Sequence, residues 1–263
     1  MAARKPTVAV FKFSSCDGCQ LSLLNMEDEL LDLAGAVEIA YFLEARRRAA
    51  PGPYDIALVE GSVTTPHEAE RIQEVRHDAR YLIALGTCAT AGGIQALRNF
   101  ADVEEYARCV YPNPEYLETL KTATPIAKHV NVNLELWGCP VSKAQVLEVI
   151  SALLQGRRPN LPQHSVCLDC KRRLSVCVMV AQGAPCLGPV TQAGCGALCP
   201  ANGRGCYGCF GPTANADMRA IVPALQSLER TRGDTVRLLR HVSAYAPAFR
   251  EAADAVLAGE EKR

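Results

Sequence analysis

No apolar run in this chain approaches the ~18 residues that a membrane span requires, so no spanning helix is expected. There is no surplus of charge either. Lys and Arg together number 28, and so do Asp and Glu, which removes the electrostatic case for a nucleic-acid or anionic-membrane partner. Internal repeats are missing. The opening residues, MAARKPTVAVFKFSSC, hold no signal-peptide core and no paired arginines ahead of one: the first apolar run, Val8 to Phe13, is short and leads straight into Cys16. The expected compartment is the cytoplasm, whose reducing conditions keep thiols free to bind metals.

Cysteine is what the chain has in excess. With 263 residues, 49% of them hydrophobic, it can build a real core in one large domain or two modest ones. A disulfide framework belongs to small secreted chains, so the 13 cysteines read as metal ligands instead. Eight of them fall between Cys167 and Cys209: Cys167, Cys170, Cys177, Cys186, Cys195, Cys199, Cys206 and Cys209. Eight is two sets of four, the number of thiolates that closes one iron–sulfur cube. Gly and Pro interrupt this stretch repeatedly and it has little apolar periodicity, so ligation is the natural source of its order.

Upstream, Thr7 to Phe13, Val37 to Phe42, Tyr54 to Val59, Tyr81 to Leu85 and Val130 to Leu136 read as five short buried strands. Between them, Gln20 to Ala34 spaces Leu21, Leu24, Leu30 and Leu33 for one face of a helix, Pro66 opens a polar helix to about Ala79, and Val141 to Leu154 is a helix stopped by Gly156 and Pro159. Residues 102–128 look like an irregular excursion. Short apolar strands alternating with helices predict an α/β fold, a flavodoxin-like doubly wound parallel sheet over residues 1–162. A small irregular cysteine-rich domain, 163–215, and a helical, solvated tail, 216–263, follow.

Four of the remaining thiols hold equivalent places. Cys16 and Cys19 follow the first strand, Cys88 the fourth and Cys139 the fifth. Ligands of an open α/β sheet sit in the crevice beyond the carboxyl ends of its strands, so these loops are expected to converge there. Gly18, Gly86 and Gly138 permit close backbone approach and offer amide donors to sulfur. Taken alone, Cys16-Asp-Gly-Cys19 could be a thioredoxin-like redox pair, but such a pair has no need of Cys88 and Cys139. Twelve thiolates could also hold three zincs, although zinc sites commonly pair two tight CxxC knuckles and here two, six and eight residues intervene from Cys167 to Cys186. Cys109 is left over and reads as a free thiol.

Taken in order, CDGCQLSLL at Cys16, VEGSV at Val59, GTCATAGG at Gly86, GCPVSK at Gly138 and CLGPVTQAGCGALCP with CYGCFGP from Cys186 resemble the small subunits of [NiFe] hydrogenases, over nearly the whole chain to about Gly211. The resemblance implies a proximal [4Fe-4S] cluster on Cys16, Cys19, Cys88 and Cys139, facing the nickel–iron site of a separate large subunit. It implies a medial cluster on Cys195, Cys199, Cys206 and Cys209, where Cys199 in place of the proline of many periplasmic relatives gives four irons rather than three. A distal cluster would use Cys167, Cys170, Cys177 and Cys186. Periplasmic relatives use a His-x-x-Cys pair at the distal site, which makes His164 the rival of Cys170; the CLDC spacing and the cytoplasmic relatives favour Cys170. With all three clusters and no twin-arginine leader, the chain most resembles the delta subunit of NAD(P)-linked sulfhydrogenases.

The function this implies is a wire. Three one-electron centres would carry electrons from the large subunit to a flavin or iron–sulfur partner that reduces a soluble acceptor, NAD(P), and the chain itself would hold no general acid or base for bond making. Glu60, at a strand end beside the proximal site, is a candidate proton-path residue and reads equally as a structural carboxylate capping a loop. The alternatives are an electron-transfer subunit of another multisubunit reductase and a metal-stabilised docking scaffold.

Overall fold

Hydrophobic strands with both faces buried require helices on each side, and the chain supplies them in alternation. The computed structural model describes residues 4–228 and 231–259. Five strands, β1 (Thr7–Lys12), β2 (Glu38–Phe42), β3 (Tyr54–Glu60), β4 (Ala79–Leu85) and β5 (Leu134–Leu136), form one sheet in the order β2-β1-β3-β4-β5, and every pairing is parallel. The order reverses direction between β1 and β3, which is where such a sheet opens its ligand crevice. Of the three inner strands, β3 and β4 are the driest: Ile56 to Glu60 and Leu82 to Leu85 are buried throughout. Residues 1–159 form one compact unit and 160–263 a second.

In the first unit the helices are α1 (Gly18–Leu24), α2 (Asp28–Ala36), α3 (Pro66–Asp78), α4 (Gly86–Ala91), α5 (Val103–Val110) and α6 (Lys143–Leu154). The start of α3 is fixed by its sequence. Thr65 accepts from the Glu68 N–H, Glu68 accepts from the Thr65 N–H, and Pro66 occupies the first helical position. The single helix expected over Gln20 to Ala34 is instead two, parted at Asn25–Glu27, with Glu27 at φ 51. The break lets Met26 turn fully inward beside Leu23, whereas Leu21, assigned by spacing to a helix face, points to solvent. The fifth strand is shorter than Val130 to Leu136. Before Leu134 the Asn133 side chain accepts the Leu82 N–H at 2.8 Å and its own N–H bonds the Leu82 carbonyl, a local substitute for a longer ladder. Residues 102–128 also hold more order than expected, because Asp102 accepts from the N–H groups of Glu104 and Glu105 and starts α5.

The second unit contains α7 (Val166–Arg172), α8 (Val178–Gln182), α9 (Leu198–Ala201), α10 (Met218–Gln226), α11 (Arg232–Leu239) and α12 (Pro247–Ala258). Its cysteine-rich part packs Val166, Val178 and Ala197 against Cys186 and Cys206. The last three helices are not a solvated tail. Leu225, Leu239, Phe249 and Ala253 are buried, Phe249 stands within reach of the backbone at Gly208, and the Ser243 hydroxyl donates to the Gly208 carbonyl at 2.7 Å. Alanine-rich helices carry their apolar face in few large side chains, so this face leaves only a faint trace in the sequence. Among the described residues no helix is long and apolar enough to cross a membrane.

Candidate metal centres

The loops beyond β1, β4 and β5 bring four thiols together. Cys16 lies in the turn after β1, Cys19 within α1, Cys88 within α4, and Cys139 after β5, joined to Pro140 by a cis peptide bond. Three of the thiols feel their neighbours. Burial pushes Cys88 up to about 12, and the neighbouring Cys139 and Cys16 add to that rise. Burial likewise raises Cys19, helped by Glu60, Cys88 and Cys139, and raises Cys139, helped by Cys16 and Glu60. The loops are tied to one another by the Thr87 N–H, which donates to the Gly138 carbonyl at 2.8 Å.

Two glycines make room for the sulfurs. Gly86 opens α4 at φ +81, and a Cβ there would stand 2.3 Å from the Cys19 sulfur. Gly93, at φ +62, would set one 2.4 Å from the Cys88 sulfur. Any side chain at either position would occupy space the thiols now hold.

Glu60 ends β3 beneath this group at 1% exposure. Its two oxygens accept the N–H groups of Cys19 at 3.0 Å and Gln20 at 3.3 Å, so the carboxylate anchors the first turn of α1, where the exposed N–H groups favour negative charge. Burial raises its pKa above the usual carboxylate range, and the Cys19 N–H pulls in the opposite direction. The carboxylate caps a helix rather than a loop. Next to it, the buried Gln20 side chain works with the Cys19 N–H to hold that rise back.

In the second unit, Cys167, Cys170, Cys177 and Cys186 line one cavity of about 130 Å³ together with Gly188 and Pro189. Burial pushes Cys167 up to about 11, reinforced by Cys186, Cys170 and Cys177 in turn. His164 is not among the lining residues. Its Nε2 lies 2.9 Å from the Asp169 carboxylate, with the Arg172 guanidinium 3.9 Å from the same oxygen.

The second group of four is nearby in the same unit. Burial pushes Cys206 up to about 12, against hydrogen bonds from the Gly208 backbone and Thr191, and both Cys186 and Cys195 raise it further. Cys199 is raised by burial and by Cys195. The Cys206 N–H donates to the Cys186 sulfur at 3.2 Å, which places the two groups side by side. Cys209 is half-buried, three residues on from Cys206. Cys109 is exposed on α5.

A polynuclear cluster spreads its four thiolates around a larger body. Four thiols brought together from three loops, with Gly86 and Gly93 leaving the sulfurs the space a side chain would take, therefore fit an iron–sulfur cluster. Sequence reasoning did not single out Gln20 or Gln95. The latter meets the Cys88 sulfur at 3.4 Å through Oε1. Its only sequence signal was its place seven residues past Cys88, behind Gly92-Gly93.

The family model described as NADH ubiquinone oxidoreductase, 20 Kd subunit, matches residues 16–153. The chain is 38% identical to the sulfhydrogenase 2 subunit delta of Pyrococcus furiosus over 221 residues, which cover 84% of this chain and 92% of that one. It is 34% identical to a subunit of the F420-non-reducing hydrogenase of Methanocaldococcus jannaschii, over 78% of this chain and 82% of the relative. Among solved structures, a chain of an NAD+-reducing [NiFe]-hydrogenase in the H2-reduced state superposes with a TM-score of 0.56 at 31% identity, covering 60% of this chain and 96% of that one.

Proposed function

Because the chain belongs to the NADH ubiquinone oxidoreductase 20 Kd subunit family and is a small subunit of [NiFe]-hydrogenase type, we propose that it relays electrons from a nickel–iron large subunit through three [4Fe-4S] clusters to a flavin or iron–sulfur partner that reduces NAD(P) in the cytoplasm. Cys16, Cys19, Cys88 and Cys139 would hold the proximal cluster, Cys195, Cys199, Cys206 and Cys209 the medial one, and Cys167, Cys170, Cys177 and Cys186 the distal one. Bound there, each cluster would supply one-electron chemistry, with a potential set by burial, local charge and hydrogen bonds to sulfur.

The observation that carries this reading is the convergence at the sheet's carboxyl edge. Four thiols from three loops meet there, burial and the neighbouring groups raise the pKa of Cys19, Cys88 and Cys139, and a buried carboxylate holds the first turn of α1. For the distal site, support comes from the cavity that four cysteines line and from His164 being engaged with Asp169. The acceptor reading is supported by the relatives: one is named a sulfhydrogenase subunit, and one solved chain belongs to an NAD+-reducing enzyme. Glu60 has the burial and raised pKa that a proton-path residue needs, in addition to its structural bonds.

The test is quantitative iron and acid-labile sulfide, with reductive EPR titration, on the complex purified through this chain. About twelve of each per chain is expected, four for each cube, with several interacting signals on reduction. Zinc without sulfide would overturn the relay and leave a docking scaffold, and a three-iron signal in the oxidised sample would remove Cys199 from the medial set.

A further inference from the structure

Gln95 lies on the short 3-10 turn Ile94–Phe100, two residues after Gly93, which clears the Cys88 sulfur. Its side-chain amide has two neighbours. Oε1 meets the Cys88 sulfur at 3.4 Å, a contact that needs the thiol hydrogen, and Nε2 donates to the Ser14 carbonyl at 2.8 Å. That carbonyl does not depend on Gln95, because it also accepts the Ser62 N–H at 2.9 Å and the Ser62 hydroxyl at 3.4 Å. Ser14 is itself fixed, its hydroxyl 2.5 Å from Thr64 Oγ1 and donating to Glu68 at 2.9 Å. Glu68 is in turn locked into the first turn of α3.

A sulfur bound to iron carries no hydrogen and can only accept. The oxygen of Gln95 facing it would then meet electron density with no donor between them. Glutamine carries both an acceptor and two donors on one planar group, so a half-turn about its last bond exchanges them. A turn in place would set Oε1 against the Ser14 carbonyl oxygen, so the side chain must also swing off Ser14, whose carbonyl keeps its bonds from Ser62. We propose that Gln95 is a positioning residue that turns its Nε2 donor onto the iron-bound Cys88 sulfur and thereby raises the reduction potential of the proximal cluster. The inference rests on Cys88 being a ligand of that cluster. The sign follows from charge: reduction adds an electron to the cluster, and an N–H donor at the sulfur stabilises the more negative state.

The experiment uses the whole complex with Gln95→Leu and Gln95→Met, both neutral, of similar bulk and without a donor. In EPR redox titrations the proximal signal is expected to shift so that its reduced-to-oxidised ratio at a fixed potential falls about tenfold, which is 59 mV for one electron. Iron and sulfide should stay at wild-type levels. A proximal midpoint unchanged in both variants overturns the proposal and makes Gln95 a filler of space. A measurement on the wild-type complex stands apart from variant folding: with glutamine labelled at its amide nitrogen with 15N, ENDOR on the reduced proximal signal should show a weakly coupled 15N and an exchangeable proton. Absence of both overturns the assignment. A wild-type complex without proximal iron would instead refute the ligand reading beneath it.

Discussion

Gly86→Ala tests whether the proximal thiols are held by space as well as by their loops. The added methyl would lie 2.3 Å from the Cys19 sulfur and 3.3 Å from the Gly138 carbonyl oxygen, so about 1 Å of movement is needed to restore ordinary contact. Alanine at φ +81 also carries left-handed backbone strain. The strain costs roughly 1–2 kcal/mol and overpacking about 1–3 kcal/mol. Together these are smaller than the roughly 5–15 kcal/mol by which a domain is stable, so the first unit should still fold. Ligation is less forgiving, because metal–ligand distances hold to about 0.2 Å, and Cys19 is pinned from behind by Glu60 through its own N–H at 3.0 Å. The expected result is selective: iron per chain falling from about twelve to about eight, with the proximal EPR signal lost and the others retained. Retention is expected because residues 160–263 form their own compact unit. Iron at about twelve with an unaltered proximal signal would refute the view that the Gly86 position limits where Cys19 can stand.

Two further outcomes can be checked with the same complex. Cys170→Ala should change the distal signal and lower the iron count by one to four atoms, whereas His164→Gln should leave both as they are, since His164 is engaged with Asp169 outside the cavity; the reverse pattern would make His164 the ligand. Asp234 should give the second unit a pH dependence in acid. Hydrogen bonds from Thr231 and the Arg237 guanidinium lower its pKa to about 2, so its stabilisation is complete above its unfolded value of ~4 and is lost as pH falls toward 2. In thermal unfolding, Asp234→Asn should be the less stable protein at neutral pH and converge with wild type near pH 2. A constant difference across that range would show that the carboxylate charge plays no part.

The candidate ligands can be read from the sequence because each announces its own position: a thiol at the end of an apolar strand marks both the strand and the crevice it faces. Cys16, Cys19, Cys88 and Cys139 are placed that way, and the sheet order puts their loops on one edge. The errors in the fold come from contacts that outweigh local pattern. Met26 is drawn inward and breaks a helix that the leucine spacing would continue, Asn133 replaces part of a ladder with its side chain, and Phe249 buries an alanine-rich helix that looks solvated. What cannot be read at all is the layer behind the ligands. Glu60 reaches Cys19 across 41 residues and Gln95 reaches Ser14 across 81, and no spacing rule connects them. Their chemistry also gives no warning, since a glutamine or glutamate beside a glycine-rich turn is ordinary at a surface. It becomes informative only when a buried sulfur is found against it, because a buried polar group must have a partner and the partner limits what the sulfur can be. A ligand set is therefore a local property of the sequence, while the groups that tune it belong to the fold.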